Sequence, residues 1–283
     1  MLARMRPHWL GLVVLVACGC GGGGDDDAGD GGAGADGGQA RDGGAGDGAT
    51  QGDGGAAADA RVVDGGSSDG GAPVPVLRDS FANPAAAWPA PWVVAGGVAA
   101  HSVIGGRGRL LPTLSNYSLG RMSVPASVVN AEARYKVRFT EPGLMGAGFY
   151  LRQNGGWLQG TATHGQGYAA FLEGFRGPRL GVWREVDGVE MEIAFTTFAT
   201  LAANVDYQVR FTVTQEGAGM TRLHAEVTRP DMPALPAVVV DALDGTAILQ
   251  NRAGGIAVDA YSNQGPGGTQ GEVLFDDVEV DAR

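Results

Sequence analysis

The sequence predicts an all-β protein: a two-sheet antiparallel β-sandwich preceded by a disordered linker. From residue 75 onward, apolar and polar residues alternate in short runs with period two, which is typical of half-buried strands. Gly, Pro, Asn and Asp separate these runs, and no stretch shows a sustained helical stripe with capping residues. Many short strands joined by turns, without helices, indicate a sandwich or a closed barrel.

The strand predictions rest on alternation and on residues rich in Val, Phe and Tyr. The clearest segments are residues 76–81, 131–139, 207–213, 223–227 and 273–280. The pair Asp187-Gly188 separates residues 182–186 from residues 189–193 and predicts a two-residue hairpin. A second turn is predicted at residues 216–219.

Composition divides the chain into a signal at residues 1–17, a linker at 18–73 and one β domain at 74–283. The linker consists almost entirely of Gly, Asp and Ala and contains no aromatic residue. Such a segment buries too little apolar surface to offset the entropy of ordering it. We therefore expect the linker to be disordered and the remaining residues to form a single core.

Most of the net charge of −11 lies in the linker: residues 1–18 carry +2, residues 19–73 carry −9 and residues 74–283 carry −4. A solvated, self-repelling spacer accounts for this distribution better than an acidic interaction tail. The sequence contains no basic stripe of the kind that binds nucleic acid, so we expect no nucleic-acid partner.

The N-terminus predicts a lipid anchor. Arg4 and Arg6 precede the apolar run 9–17, which has the layout of a secretory signal and is too short to span a ~30 Å hydrocarbon core. Residues 15–18, Leu-Val-Ala-Cys, resemble the bacterial lipobox, in which Cys18 is lipidated. This predicts a lipoprotein of the cell envelope, at the outer membrane or the cell surface. The alternative is an ordinary signal that is cleaved near Ala17 and releases a periplasmic protein.

Cys18 and Cys20 are the two cysteines of the chain, and both lie at the end of the signal. Residues 74–283 therefore contain no disulfide, no thiolate metal site and no cysteine nucleophile.

Four features of residues 75–283 resemble the concanavalin A-like lectin and glucanase jelly rolls, and among them the laminin-G-like bacterial modules. The features, in order, are Asp79-Ser80-Phe81 with Trp88 and Trp92; residues 148–152 with Gly167-Tyr168; residues 207–211; and residues 255–258 with 275–280. The resemblance implies a jelly-roll fold. It leaves the activity open, because this fold hosts lectins, hydrolases, lyases and adhesive modules.

Residues 185–190 fit the pattern Glu-x-Asp-x-x-Glu, which resembles the catalytic strand of retaining β-glucanases on this fold. That chemistry needs one continuous strand, whereas Asp187-Gly188 predicts a turn that puts Glu185 and Glu190 on different strands. The alternative interpretation is a solvated hairpin tip.

The middle of the domain predicts a sugar-binding surface. Alternation puts Tyr150 and Arg152 on one face of their strand, and Phe171 with Glu173, and Trp183 with Glu185, on one face of the next two. Sugars need flat aromatic surfaces together with polar groups that fix hydroxyls. The predicted sugar-binding residues are Tyr150, Arg152, Trp157, His164, Tyr168, Glu173 and Arg184. The alternative is that most of these aromatic residues belong to the core.

A structural Ca²⁺ ion is implied by the resemblance, because similar jelly rolls hold one near the first and last strands. Asp79 and Asp277 match by position, and their oxygens suit Ca²⁺. The alternative is that Asp276 and Asp277 are charges that protect a sheet edge from aggregation.

The predicted function is that of a membrane-anchored, non-catalytic binding module for a polysaccharide or glycan, acting as a monomer. The first alternative is a protein-binding or structural lipoprotein of the envelope. The second is a glycoside hydrolase that uses Glu185 and Glu190.

Overall fold

The computed structural model describes residues 72–114, 118–154, 156, 165–217, 219–264 and 267–283. The predicted signal, Cys18 and almost all of the predicted linker lie outside the described residues. Within the described ranges, no helix is long and apolar enough to cross a membrane.

The described residues form strands joined by turns, with two short 3₁₀ helices at Pro142–Leu144 and Ala247–Leu249. The strands are β1 Val74–Asp79, β2 Val93–Gly96, β3 Val98–Ile104, β4 Arg107–Pro112, β5 Leu119–Val128, β6 Ala131–Phe139, β7 Met145–Asn154, β8 Gln166–Glu173, β9 Arg179–Val186, β10 Val189–Thr197, β11 Tyr207–Glu216, β12 Met220–Thr228, β13 Val238–Asp244, β14 Gly254–Ser262 and β15 Val273–Ala282.

The strands build two antiparallel sheets. One has the order β13-β12-β11-β6-β15-β4-β3, with β1 also paired to β15, and the other has the order β10-β9-β8-β7-β14-β5-β2. We call them the eight-stranded and the seven-stranded sheet. This arrangement confirms the predicted all-β, two-sheet antiparallel sandwich.

Alternation along the strands produces the core. The inward residues of β6 and β7 meet between the sheets, where the rings of Tyr135 and Phe149 stack with their centroids 4.6 Å apart. Trp88 and Trp92 are both buried beside Phe81. Trp88 also packs edge-on against Phe275 of the last strand. The core thus joins the first and last segments of the domain.

Local backbone conformation explains where the strand boundaries differ from prediction. The strand β6 has the predicted bounds, but β1 ends at Asp79 rather than at Phe81. Phe81 has a left-handed φ of 47°, and its N–H donates to Oδ1 of Asp79. An aspartate that bonds the backbone two residues ahead forms a turn, and this turn ends the strand.

The hairpin predicted at Asp187-Gly188 is confirmed. The strand β9 ends at Val186 and β10 begins at Val189, and the two turn residues have φ values of 52° and 74°. Positive φ at both central residues is what a type I′ hairpin requires, and Asp-Gly supplies it at low cost.

Candidate functional site

An open pocket of about 390 Å³ lies on the outer face of the seven-stranded sheet, away from the core. The strand β8, the β9–β10 hairpin, β14 and the loop after β8 supply its walls. Its aromatic lining is Phe171, Phe175, Trp183 and Tyr261, and its charged lining is Glu173, Arg176 and Glu190.

The aromatic side chains form two pairs. The ring centroids of Phe171 and Trp183 are 6.2 Å apart, and those of Phe175 and Tyr261 are 4.8 Å apart. Trp183, Phe175 and Tyr261 remain partly exposed, so their rings are accessible from solvent. Such rings offer a ligand flat apolar surfaces together with polar edges.

Glycines in the first half of β7 make room for one of these rings. A Cβ atom on Gly146 would lie 2.5 Å from the ring of Phe171, and a Cβ atom on Gly148 would lie 2.7 Å from it. Glycine inside a strand often marks such a close approach. The ring of Phe171 can therefore lie against the strand and form the base of the aromatic lining.

A cation already lies over the aromatic lining. The guanidinium of Arg176 is 5.0 Å from the ring centroid of Phe175 and 5.2 Å from that of Trp183, within the range of a cation–π interaction. Glu173, which is almost fully buried, accepts hydrogen bonds from Arg176 and from the side chain of Arg179. The pocket wall is thus held by an ion-pair network.

A fully buried arginine lies beneath the pocket. Arg121 donates from Nε to Oδ1 of Asp259 at 2.7 Å, from Nη2 to Oδ2 of Asp259 at 2.8 Å, and from Nη1 to Oε2 of Glu185 at 2.8 Å. Its Nη2 is 3.7 Å from Oε1 of Glu190, which also accepts a hydrogen bond from the hydroxyl of Tyr150. The guanidinium carbon lies 4.3 Å from the centroid of the Tyr150 ring. We call these five residues the Arg121 cluster.

Three carboxyl groups thus surround one guanidinium. Burial, reinforced by the charge of Asp259, raises the pKa of Glu190 to about 7, although Arg121 opposes this rise. Burial also raises the pKa of Glu185 and the pKa of Asp259. Burial alone would lower the pKa of Arg121, but the carboxylates around it raise that pKa instead. Glu190 is therefore the group of this cluster that changes charge near neutral pH.

The glucanase-like pattern does not form a catalytic strand. Glu185 on β9 is paired directly with Glu190 on β10, across the hairpin. The side chain of Glu190 is 15% exposed and lines the pocket, whereas that of Glu185 is 0% exposed and ion-paired to Arg121. The interpretation as a solvated hairpin tip is wrong for Glu185, because its side chain is fully buried and forms an ion pair with Arg121.

Two of the predicted sugar-binding residues lie on the outer face. Glu173 lines the pocket, and Tyr150 lies beneath it in the Arg121 cluster, with 1% of its surface exposed. Tyr150 therefore contributes its hydroxyl to Glu190 rather than an exposed ring. Trp157 and His164 lie outside the described residues.

Arg152 does not share a face with Tyr150, contrary to the prediction. Its φ is 57°, and the pairing of β7 with β8 shifts register between Leu151 and Asn154. Such a bulge interrupts alternation and redirects the side chain. The guanidinium of Arg152 is buried toward the eight-stranded sheet, where Nη1 donates to Oγ1 of Thr221 at 3.2 Å.

Tyr168 and Arg184 also face the eight-stranded sheet. The Tyr168 hydroxyl donates to Oδ2 of Asp244 at 2.8 Å, and Nη1 of Arg184 donates to Oδ1 of the same carboxylate at 2.7 Å. Tyr168 is fully buried, as the interpretation of these aromatics as core residues predicted. These side chains form a polar junction between the sheets, separate from the pocket.

The predicted calcium ligands are bound to protein donors. Asp79 accepts hydrogen bonds from the N–H of Phe81 and from Nε1 of Trp92, and Asp277 forms an ion pair with Lys136. The oxygens of these two carboxylates alone do not make up the six to eight oxygen ligands that Ca²⁺ takes. Among the described residues, no group of three or more His, Cys, Asp or Glu could hold a metal ion. The bound calcium ion stays a prediction.

The sequence did not lead us to predict Arg121 and Asp259 as site residues. It also gave no indication that Glu190 lies beside them. Arg121 and Asp259 are each the single charged residue of a buried strand segment: Leu119–Met122 in β5 and Ile256–Ala260 in β14. A lone charge in such a strand is a usable signal, because a buried charge needs a partner. Local pattern could not indicate which partner, since Arg121 and Asp259 are 138 residues apart.

Comparisons with known proteins show the fold alone. No family model matches the chain, and a search of curated proteins found no match. Among solved structures, the chain is similar to a Bacillus subtilis protein of unknown function with a galectin-like fold, at 10% identity and a TM-score of 0.52, covering 74% of this chain and 98% of that one. It is also similar to lectin II from Ulex europaeus, at 10% identity and a TM-score of 0.52, covering 72% of this chain and 97% of that one. The domain thus has a lectin-like jelly-roll fold, as the resemblance implied.

Proposed function

We propose that the domain binds carbohydrate in the outer-face pocket. The observation that carries this proposal is the combination of partly exposed aromatic rings with charged groups around an open cavity of about 390 Å³. A sugar presents apolar C–H faces and polar hydroxyls, which such a lining satisfies together. Trp183 is the central residue, because its ring lines the pocket and is partly exposed.

A further feature supports a binding role rather than hydrolysis. Hydrolysis by two carboxyl groups needs both of them at the glycosidic bond. Glu185 has no exposed surface and is held by Arg121, so Glu190 alone of this pair lines the pocket. The lectin-like fold is compatible with sugar binding but does not by itself assign it.

The proposal is tested by a glycan array and polysaccharide pull-down with the full chain and its Trp183→Ala variant. We expect specific binding by the native chain and at least a tenfold loss of affinity in the variant. The variant loses both the burial of the ring against the sugar and the aromatic contact itself, which contributes about 1 kcal/mol beyond the buried area. Leu243→Ala, an exposed apolar residue on β13, is the matched control and should bind as the native chain does. The absence of any bound glycan, or equal binding by both variants, would refute the proposal.

A protein-binding role is the second candidate, and one surface favours it. The edge strand β10 exposes Val189 by 65%, Met191 by 50% and Phe195 by 52%. Exposed apolar side chains grouped on an edge strand are suited to contact with another protein. Cross-linking from this strand that recovers one defined envelope protein, with no competition by sugars, would favour this candidate over the first.

We propose also that Cys18 carries the lipid anchor that places the chain in the cell envelope. The support is the basic start, the apolar run 9–17 and the lipobox-like residues 15–18. Labelled fatty acid should enter the native chain and be absent from Cys18→Ser, and the native chain should fractionate with membranes. Cys20→Ser is the control and should still take up the label. Incorporation of label into Cys18→Ser would show that Cys18 is not the site of lipidation.

A further inference from the structure

We propose that the outer-face pocket takes a saccharide bearing a protonated amino group in preference to a neutral or an acidic sugar. This inference rests on the proposed carbohydrate-binding function and names the class of sugar. It follows from the charge balance of the pocket and from what its aromatic rings already bind.

The charge balance beneath the pocket is negative. The single guanidinium of Arg121 meets the carboxyl groups of Glu185, Glu190 and Asp259. Asp259 occupies Nε and Nη2 with two hydrogen bonds, and Glu185 takes Nη1. Glu190 is left with a 3.7 Å contact to Nη2 and the hydroxyl of Tyr150. It is thus the least neutralised carboxyl group of the cluster and the one that reaches the pocket.

The pocket wall adds no surplus positive charge to offset this. Arg179 contacts both Glu173 and Glu192, and Arg176 contacts Glu173, so two guanidinium groups face two carboxylates. An acidic sugar would add a negative charge to a surface on which carboxyl groups already outnumber guanidinium groups. Electrostatic repulsion would therefore disfavour its binding. A cationic sugar would give Glu190 a second positive partner besides its 3.7 Å contact with Arg121.

The aromatic lining fits a cation as well. The guanidinium of Arg176 lies over the rings of Phe175 and Trp183, which shows that these rings accept a positive charge. The negative face of an aromatic ring attracts ammonium groups in the same way. An aminated sugar ring could stack on Trp183 while its ammonium group approaches Glu190.

The test uses β-1,4-linked glucose hexamers that differ only in the C2 substituent: hydroxyl in cellohexaose, acetamide in N-acetylchitohexaose and amine in chitohexaose. Hexagalacturonate serves as the acidic probe. Each is titrated calorimetrically near neutral pH into the full chain, into Glu190→Gln, and into Glu279→Gln as the control. Glu279 is an exposed acid on the eight-stranded sheet, so its variant loses the same charge away from the pocket. All variants keep the acidic N-terminal segment, so its attraction for cations is the same in each.

We expect chitohexaose to bind most tightly and hexagalacturonate most weakly. Glu190→Gln should weaken chitohexaose about fivefold, the size of one partly exposed ion pair, and leave cellohexaose unchanged. Tighter binding of cellohexaose or hexagalacturonate than of chitohexaose would overturn this inference and leave the proposed function intact. Equal loss in Glu190→Gln and Glu279→Gln would also overturn it. If none of the four probes binds, the proposed function itself fails for these ligands, and this inference fails with it.

Discussion

Arg121 and Asp259 lie directly opposite each other on the neighbouring strands β5 and β14 and are joined by two hydrogen bonds of 2.7 and 2.8 Å. Both side chains are fully buried. A planar guanidinium that meets a carboxylate in this two-point geometry forms one of the stronger ion pairs in proteins. Glu185 accepts a hydrogen bond from Nη1, the nitrogen that Asp259 does not contact, so one residue holds two of the carboxyl groups below the pocket.

We predict that Arg121→Met lowers the free energy of unfolding by about 3–5 kcal/mol, because it leaves buried carboxyl groups without their partner. Denaturant unfolding near neutral pH measures this loss. Arg222→Met is the control, since Arg222 forms an exposed ion pair with Glu216 and its loss should change stability little. A drop no larger in Arg121→Met than in the control would contradict the central place of Arg121. The double variant Arg121→Met/Asp259→Asn should recover part of the loss.

The pKa of Glu190 predicts how stability depends on pH. Its folded-state pKa of about 7 lies above its ordinary value of 4.5, so the folded chain holds this proton more tightly than the unfolded chain. The resulting stability is fully present below about pH 4.5 and is lost as the pH rises toward and through about 7. We expect Glu190→Gln, which cannot ionise, to remove this part of the pH dependence, on the order of 2–3 kcal/mol.

Denaturant unfolding at several pH values between 4.5 and 8 measures the Glu190 effect. The native chain should lose stability over this interval more steeply than Glu190→Gln. The slope of Glu279→Gln, which removes an exposed acid from the other sheet, should match that of the native chain. Parallel curves for the native chain and Glu190→Gln would show that Glu190 has an ordinary pKa.

Tyr150 gives a second way to shift the same titration. Its hydroxyl donates to Oε1 of Glu190, and a hydrogen bond to a carboxylate favours the charged form. We predict that Tyr150→Phe raises the pKa of Glu190 further, as followed by NMR of ¹³C-labelled glutamate. Tyr135→Phe is the matched control, because the Tyr135 hydroxyl is buried in the core and has no hydrogen-bond partner in the described part of the chain. An unchanged Glu190 titration in Tyr150→Phe would show that this hydrogen bond does not act on the carboxylate.

The fold was predictable because its signals are local. Period-two alternation gave the bounds of β6, and Asp187-Gly188 supplied the positive φ values that a two-residue hairpin needs. The site was less predictable because its parts come from strands that are neighbours in space and not in sequence. Arg121 meets Glu185 across 64 residues and Asp259 across 138, and no local pattern encodes the strand order that brings them together.

Bulges limited the prediction at individual residues. Alternation put Tyr150 and Arg152 on one face, but the register shift after Leu151 turned Arg152 toward the other sheet. A bulge adds a residue to one strand without a distinctive sequence signal, so period-two reasoning fails beyond it. Glu173 and Trp183 lie on β8 and β9, which pair with each other without a register shift, and both were put on the correct face.

The glycine below Phe171 permits a last prediction, about the shape of the pocket. In Gly148→Ala the new Cβ would lie 2.7 Å from the Phe171 ring and 3.2 Å from Cε2 of Tyr150, so the ring must move. Overpacking of this kind costs about 1–3 kcal/mol, and the displaced ring should also weaken glycan binding at Trp183. Gly143→Ala is the control, because its Cβ would meet nothing within 4 Å and its φ is not left-handed. Thermal unfolding and glycan titration of both variants measure the effect. A Gly148→Ala chain as stable and as active in binding as Gly143→Ala would show that the Phe171 ring is not fixed against β7.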